Sequence, residues 1–172
     1  MSPVAAPTAR RAAESAEGAE KAASAASARS AAAPAGRAPN EPTPVVFDTN
    51  ALLLPFAHGT RVEEDLATLF GQVKLFVPST VLIELGTLAY KGKGATARHA
   101  KMAIKFAERC TVLATKLPGD DGLLEVARKA KAVVVTNDRT LQAECQKSGL
   151  TVVVSREHGR RLALMGAASG QF

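Results

Sequence analysis

A chain of 172 residues with 47% apolar side chains can build one ordinary domain around a real core, and its formal net charge of +6 suits a polyanionic partner. No stretch is long and apolar enough for a membrane span or a secretory signal, so the expectation is a soluble, cytoplasmic protein. Cys110 and Cys145 stand without CxxC or Cys/His spacing, which speaks against a disulfide framework and against zinc.

Residues 1–44 are dominated by Ala, Ser, Pro and Arg and contain no Ile, Leu or aromatic residue. Such a segment cannot bury enough surface to offset the entropy of ordering, and a disordered tail is expected. Its alanines favour helix, but Gly18 and the lack of an apolar face argue against stable docking. The body from residue 45 onward alternates between two patterns. Runs at 45–47, 75–77, 112–113, 133–135 and 152–154 are short, rich in Val and hardly interrupted by polar residues, as in strands buried on both faces. Helical patterns lie between them at 62–70, 80–90, 95–109, 122–131 and 140–147, the last stopped by Gly149. This alternation predicts an α/β fold with a parallel sheet, right-handed crossovers and helices on both faces.

In such a sheet, chemistry gathers beyond the carboxyl ends of the strands, where strand order reverses. Asp48 follows the first strand in VVFDTN, and Asp138 follows the fourth in VVVTND. Asp120 and Asp121 precede GLLEVARKA at the amino end of a helix, and Glu84 stands on the otherwise apolar stripe of PSTVLIELGTLAY. Each acid has an ordinary alternative. Asp120 could cap a helix, Asp48 and Asp138 could end turns, and Glu84 could be the solvated edge of an amphipathic helix. Together, four or more carboxylates without matching basic residues would repel, and a divalent cation such as Mg²⁺ or Mn²⁺ would remove that cost.

In FDTNALLLPF, VPSTVLIELGTLA, GDDGLLEVA and VVVTNDRTLQ the chain resembles the acidic motifs of PIN-domain ribonucleases, in the same order. The segment GKGATARHAKMAIKFAERC is similar to the archaeal VapC-like branch related to ribosomal-RNA processing PIN proteins. The resemblance covers residues 45 to about 165 and implies a PIN-like α/β/α sandwich around a five-stranded parallel sheet. It also implies hydrolysis of RNA phosphodiesters dependent on Mg²⁺ or Mn²⁺, possible homodimers, and a role either in ribosomal-RNA maturation beside a ribosome-assembly partner or as a toxin held by an antitoxin. A PIN-like RNA-binding module without catalysis is a third class. By the same resemblance Asp48, Glu84, Asp120 and Asp138 are the catalytic acids and metal ligands, Asp121 is an additional ligand, Thr49 and Asn50 support the site by hydrogen bonds, and Thr136 or Asn137 orients the loop of Asp138.

Arg98, Lys101, Lys105 and Arg109 recur at spacings of three and four, with Lys91 and Lys93 just before them. One face of a helix would carry them, either as a solvated surface or as a phosphate-binding stripe for RNA that Arg156, Arg160 and Arg161 extend. With one Tyr and six Phe in the chain, no aromatic platform for bases is visible.

Overall fold

The computed structural model describes residues 41–166, so the expected tail lies outside the described residues up to position 40. The five valine-rich runs form the strands β1 (Thr43–Phe47), β2 (Val73–Pro78), β3 (Thr111–Leu113), β4 (Val133–Val135) and β5 (Val152–Arg156). Between them run α1 (Thr49–His58), α2 (Val62–Phe70), α3 (Ser79–Lys91), α4 (Ala95–Ala107), α5 (Gly119–Ala130) and α6 (Arg139–Lys147). A 3₁₀ turn at Glu157–Gly159 leads into a further strand, β6 (Arg161–Leu164).

The sheet has six strands in the order β3-β2-β1-β4-β5-β6, which corrects the expected five. β1 to β5 are parallel to one another, and β6 returns antiparallel to β5. The sixth strand escaped the sequence because RLAL has no valine run, and its turn carries positive φ on Glu157 and His158 instead of the Asn-Gly or Asp-Gly that announces a hairpin.

Strand order runs outward from β1 to β2 and β3, then returns across to β4 and β5. Right-handed crossovers therefore place α1 to α4 on one side and α5 with α6 on the other. The packing agrees: α4 lies on α1 and α3, and Phe106 of α4 meets Phe47 of β1 edge to face with ring centres 6.2 Å apart. α5 covers β1 and β2, and α6 covers β5. The middle strands are thus sealed on both faces, with Val45, Val46, Phe47, Val133 and Val134 fully buried. Each such side chain contributes about 1.5–3 kcal/mol through apolar burial. Cys110 and Cys145 are buried free thiols, and burial pushes both up to about 11, as inert core residues should be.

Helix α1 is absent from the amphipathic pattern for a physical reason. Packed against α4 and α3, it is apolar along most of its length, and Pro55 inside it would ordinarily signal a break. Gly59, at φ 71°, closes it by donating its N–H to the Pro55 carbonyl at 3.1 Å. β1 also begins earlier than its apolar run suggests. Thr43 and Pro44 pair with Val73 and Lys74 of β2, and Pro44 is tolerated because β4 joins only at Val45, leaving no ladder on that side for its missing N–H.

The ordered body thus reaches two residues into the segment assigned to the tail. Removal of residues 1–40 is expected to leave a cooperative thermal transition unchanged. Removal of residues 1–44 deletes the Thr43 N–H bond to the Gln72 carbonyl, at 2.8 Å, together with two strand pairs, and should cost about 1–2 kcal/mol. Equal melting temperatures for the two truncations would contradict this.

Candidate metal centre

The two directions of strand order part between β1 and β4, and the carboxyl ends of those strands carry Asp48 and the Thr136–Asn137–Asp138 loop. Asp48 is only 8% exposed. Its Oδ1 accepts from the Thr49 N–H at 2.6 Å, capping α1, and its Oδ2 accepts from Thr136 Oγ1 at 2.9 Å. Thr136 Oγ1 in turn accepts from the Asp138 N–H at 3.0 Å, so one hydroxyl joins the two acids. Asp138 caps α6 by accepting from the Thr140 and Leu141 N–H groups at 2.8 and 3.0 Å.

Glu84 comes from the second turn of α3, and its Oε2 accepts a hydrogen bond from Thr49 Oγ1. Thr49 therefore braces Asp48 through its amide and Glu84 through its hydroxyl. Asp120 stands in the first turn of α5 and makes no capping bond, since Pro118 occupies the cap position. The capping role considered for Asp120 belongs instead to Asp48 and Asp138. A close approach sets the position of α5. A Cβ on Gly122 would meet the Leu117 carbonyl oxygen at 2.3 Å and Thr115 Cγ2 at 2.9 Å. Ser79 Oγ accepts from the Thr115 N–H at 3.2 Å, and Thr115 Oγ1 donates to Glu125 at 2.6 Å, tying the loop before α5 to both α3 and α5. These partners lie 36 and 10 residues apart, and no local spacing could have revealed them.

The acids feel one another. Burial raises Asp48 above its ordinary 3.8, the hydrogen bonds from Thr136 and Thr49 oppose that rise, and the charges of Asp120 and Glu84 add to it. Asp120 is raised by partial burial and then by Asp138, Glu84 and Asp121. No lysine or arginine appears among the groups that shift either acid. The donor set is all carboxylate oxygen, which suits a hard cation such as Mg²⁺ or Mn²⁺. Among the described residues no three acids close around a single ion by themselves.

Other expected residues divide clearly. Asp121 is exposed and lines a separate cleft of about 430 Å³ with Leu117, Glu125 and Lys129. Asn50 is exposed and makes no side-chain hydrogen bond to another described residue, so the expected support comes from Thr49 without it. Asn137 exchanges two hydrogen bonds with Ser155, a partner that the sequence does not reveal.

Of the basic stripe, Arg98, Lys101 and Lys105 are exposed on α4, with Lys91 and Lys93 exposed before it. Arg109 departs from it. α4 ends at Ala107, and Arg109 lies at the amino edge of the sheet, bonded to Glu63 at 2.6 Å and resting over the Phe106 ring. Because α4 must return the chain to that edge before the parallel strand β3, its beginning near Arg98 is the end closer to the acids.

The family model for a PIN-like domain matches residues 45–158. The chain belongs to the PIN-like domain family. Ribonuclease VapC9 of Archaeoglobus fulgidus is 30% identical over 115 residues, which span 67% of this chain and 84% of that protein. The PIN domain endonuclease Utp24 shares the fold at a TM-score of 0.58 and 23% identity, over 72% of this chain and 91% of that one. VapBC2 from Rickettsia felis, solved with a DNA fragment from its promoter, superposes at a TM-score of 0.50 and 16% identity, over 66% of this chain and all of that one.

Two outcomes are expected. Thr136→Val removes a donor from buried Asp48 and an acceptor from the Asp138 N–H, which should cost about 1–3 kcal/mol in urea unfolding, while Thr136→Ser should recover most of it. For Asp48 the sign follows from its raised pKa: the folded state disfavours the ionised form, so the cost is present at neutral pH and is relieved as pH falls through the folded pKa towards the ordinary 3.8. In chelator, Asp48→Asn should melt above wild type at neutral pH, and the gap should narrow on mild acidification. A variant that melts lower at neutral pH would contradict it.

Proposed function

We propose that this chain is a metal-dependent endoribonuclease that hydrolyses phosphodiester bonds in RNA, using Asp48, Glu84, Asp120 and Asp138. The observation that supports it most is geometric: at the point where strand order reverses, Thr136 bonds to Asp48 and Asp138 and Thr49 bonds to Asp48 and Glu84, and burial first, then neighbouring acids, raise Asp48 and Asp120. Repulsion of this kind is retained where a cation is to be gathered. Bound Mg²⁺ or Mn²⁺ would offset the charge of the attacked phosphate and lower the pKa of an attacking water.

The chain's own groups hold the geometry. Thr49 and Thr136 fix Asp48 by occupying one lone pair on each of its oxygens, and their hydrogen bonds oppose the rise that burial causes. Asp138 is fixed by two backbone donors at the start of α6, whose positive end also favours its charge. Glu84 and Asp120 stay exposed and can turn towards a cation or its waters. No histidine is required: His58, His99 and His158 do not enter the acid cluster's electrostatics. Lys91, Lys93, Arg98, Lys101 and Lys105 would hold RNA phosphates on the α3–α4 side, Arg109 being committed to Glu63.

The ribonuclease named VapC9 supports the reaction class. Ribosomal-RNA maturation and control by an antitoxin would use the same chemistry, and RNA cross-linked to the Asp48→Asn protein in cells would select between them. A non-catalytic RNA-binding module would bind RNA but fail to cleave it with either metal.

Separating Asp120 from Asp121 tests the site residue by residue. Asp120→Asn should abolish single-turnover RNA cleavage while RNA binding persists. Asp121→Asn should retain activity with a higher Mn²⁺ requirement, because its carboxylate lines a different cleft yet still raises Asp120. The reverse pattern would exchange the two roles.

A further inference from the structure

The β5–β6 turn stands at the same edge of the sheet as the acids. Val153 pairs with Val135 in parallel register, so Ser155 and Arg156 come level with Asn137 and Asp138. The Asn137 amide donates to Ser155 Oγ at 2.6 Å, and the Ser155 N–H donates to Asn137 Oδ1 at 2.8 Å, which ties the turn to the loop that carries Asp138. Glu157 and His158 hold φ of 51° and 57°, a left-handed conformation disfavoured for side chains with a Cβ. Gly159 follows at φ 90°, where a Cβ would meet the His58 ring at 2.7 Å, and its carbonyl accepts from Thr60 Oγ1. Both contacts pin the turn against the end of α1.

What this rigid frame presents is cationic. Arg156 and Arg161 face each other directly across the hairpin, a like-charge pairing that weakens it. Asp65 reaches Arg161 at 3.7 Å, whereas Arg156 and Arg160 are exposed and form no ion pair with another described residue. Glu157 is the acid within the turn itself. A strained, tethered turn with Arg156 level with Asp138 and Arg160 four residues on is arranged for an external anion, and guanidinium forks match phosphate oxygens in pairs.

We propose that this turn is a second phosphate-binding site, in which Arg156 and Arg160 hold the RNA backbone on the side of the acids away from the α3–α4 stripe. The proposal rests on the RNA reading above. β2 and β3 lie to one side of β1 and β4 in the sheet, and β5 with β6 to the other, so a strand crossing the acids meets a basic flank on each side.

The test is the salt dependence of binding to a labelled single-stranded oligouridylate long enough to span both flanks, measured with the full chain in chelator to prevent cleavage. Each phosphate contact on a single strand contributes about 0.7 to the slope of log K against log salt, so Arg156→Gln with Arg160→Gln should reduce it by about 1.4. The corresponding double lysine variant should keep the slope, and both should melt with wild type. Lys74→Gln with Lys147→Gln removes equal charge elsewhere and should leave the slope unchanged. A slope unmoved by the glutamines, flattened equally by the lysines, or flattened equally by the remote pair overturns the site while the nuclease reading stands. Wild-type protein that neither binds this RNA nor cleaves RNA with Mn²⁺ overturns both.

Discussion

The charges of Asp48, Glu84, Asp120 and Asp138, which bear on one another with no basic group among those that shift Asp48 or Asp120, are the constraint to which the rest of the molecule answers. Ionised Asp48, nearly buried, is costly, and the fold meets that cost locally with a backbone N–H from Thr49 and a hydroxyl from Thr136. It does not cancel the charge. Asp120 and Glu84 press on Asp48 from neighbouring helices, and both Asp48 and Asp120 stay harder to ionise than an ordinary aspartate. A core of tightly packed valines makes this possible, because only a rigid sheet can hold like charges near one another against their repulsion.

The supporting contacts have a common character: they are short polar bridges from one strand end or helix start to another. Thr136 joins Asp48 to Asp138, Thr49 joins Asp48 to Glu84, Asn137 joins the β4 loop to β5, and Ser79 joins α3 to the loop before α5. Threonine and serine suit this role because one hydroxyl donates and accepts at once. Each acid therefore sits on a different element while its position is referred to a neighbour. Glu84 and Asp120 are the less restrained members, exposed to solvent, and so can adjust when a cation and a phosphate arrive.

Charge outside the cluster is arranged around it. Lys91, Lys93 and Arg98 are exposed around the start of α4. Arg109, by contrast, is consumed at the amino edge by Glu63 and Phe106. Tyr90, the single tyrosine, is 90% exposed on the helix that bears Glu84.

The sequence by itself located five strands and five of the helices, although β3, at the edge of the sheet, is not buried as its apolar pair suggested, with Val112 49% exposed. Period-2 and period-3.6 patterns survive any tertiary arrangement, and strand ends mark where a parallel sheet does its chemistry. It could not show α1, which is apolar along most of its length, nor β6, whose pairing depends on a turn that breaks the usual residue preferences. The tertiary structure added that Asp120 feels Asp138 and Glu84 while Asp121 lines a separate cleft. One step along a helix turns a side chain by about 100°, and only the packing of Gly122 against the loop at Leu117 says which way α5 is rotated. It also decided that Arg109 leaves the stripe, because a spacing of four residues means one helix face only while the helix continues, and α4 stops two residues short of it.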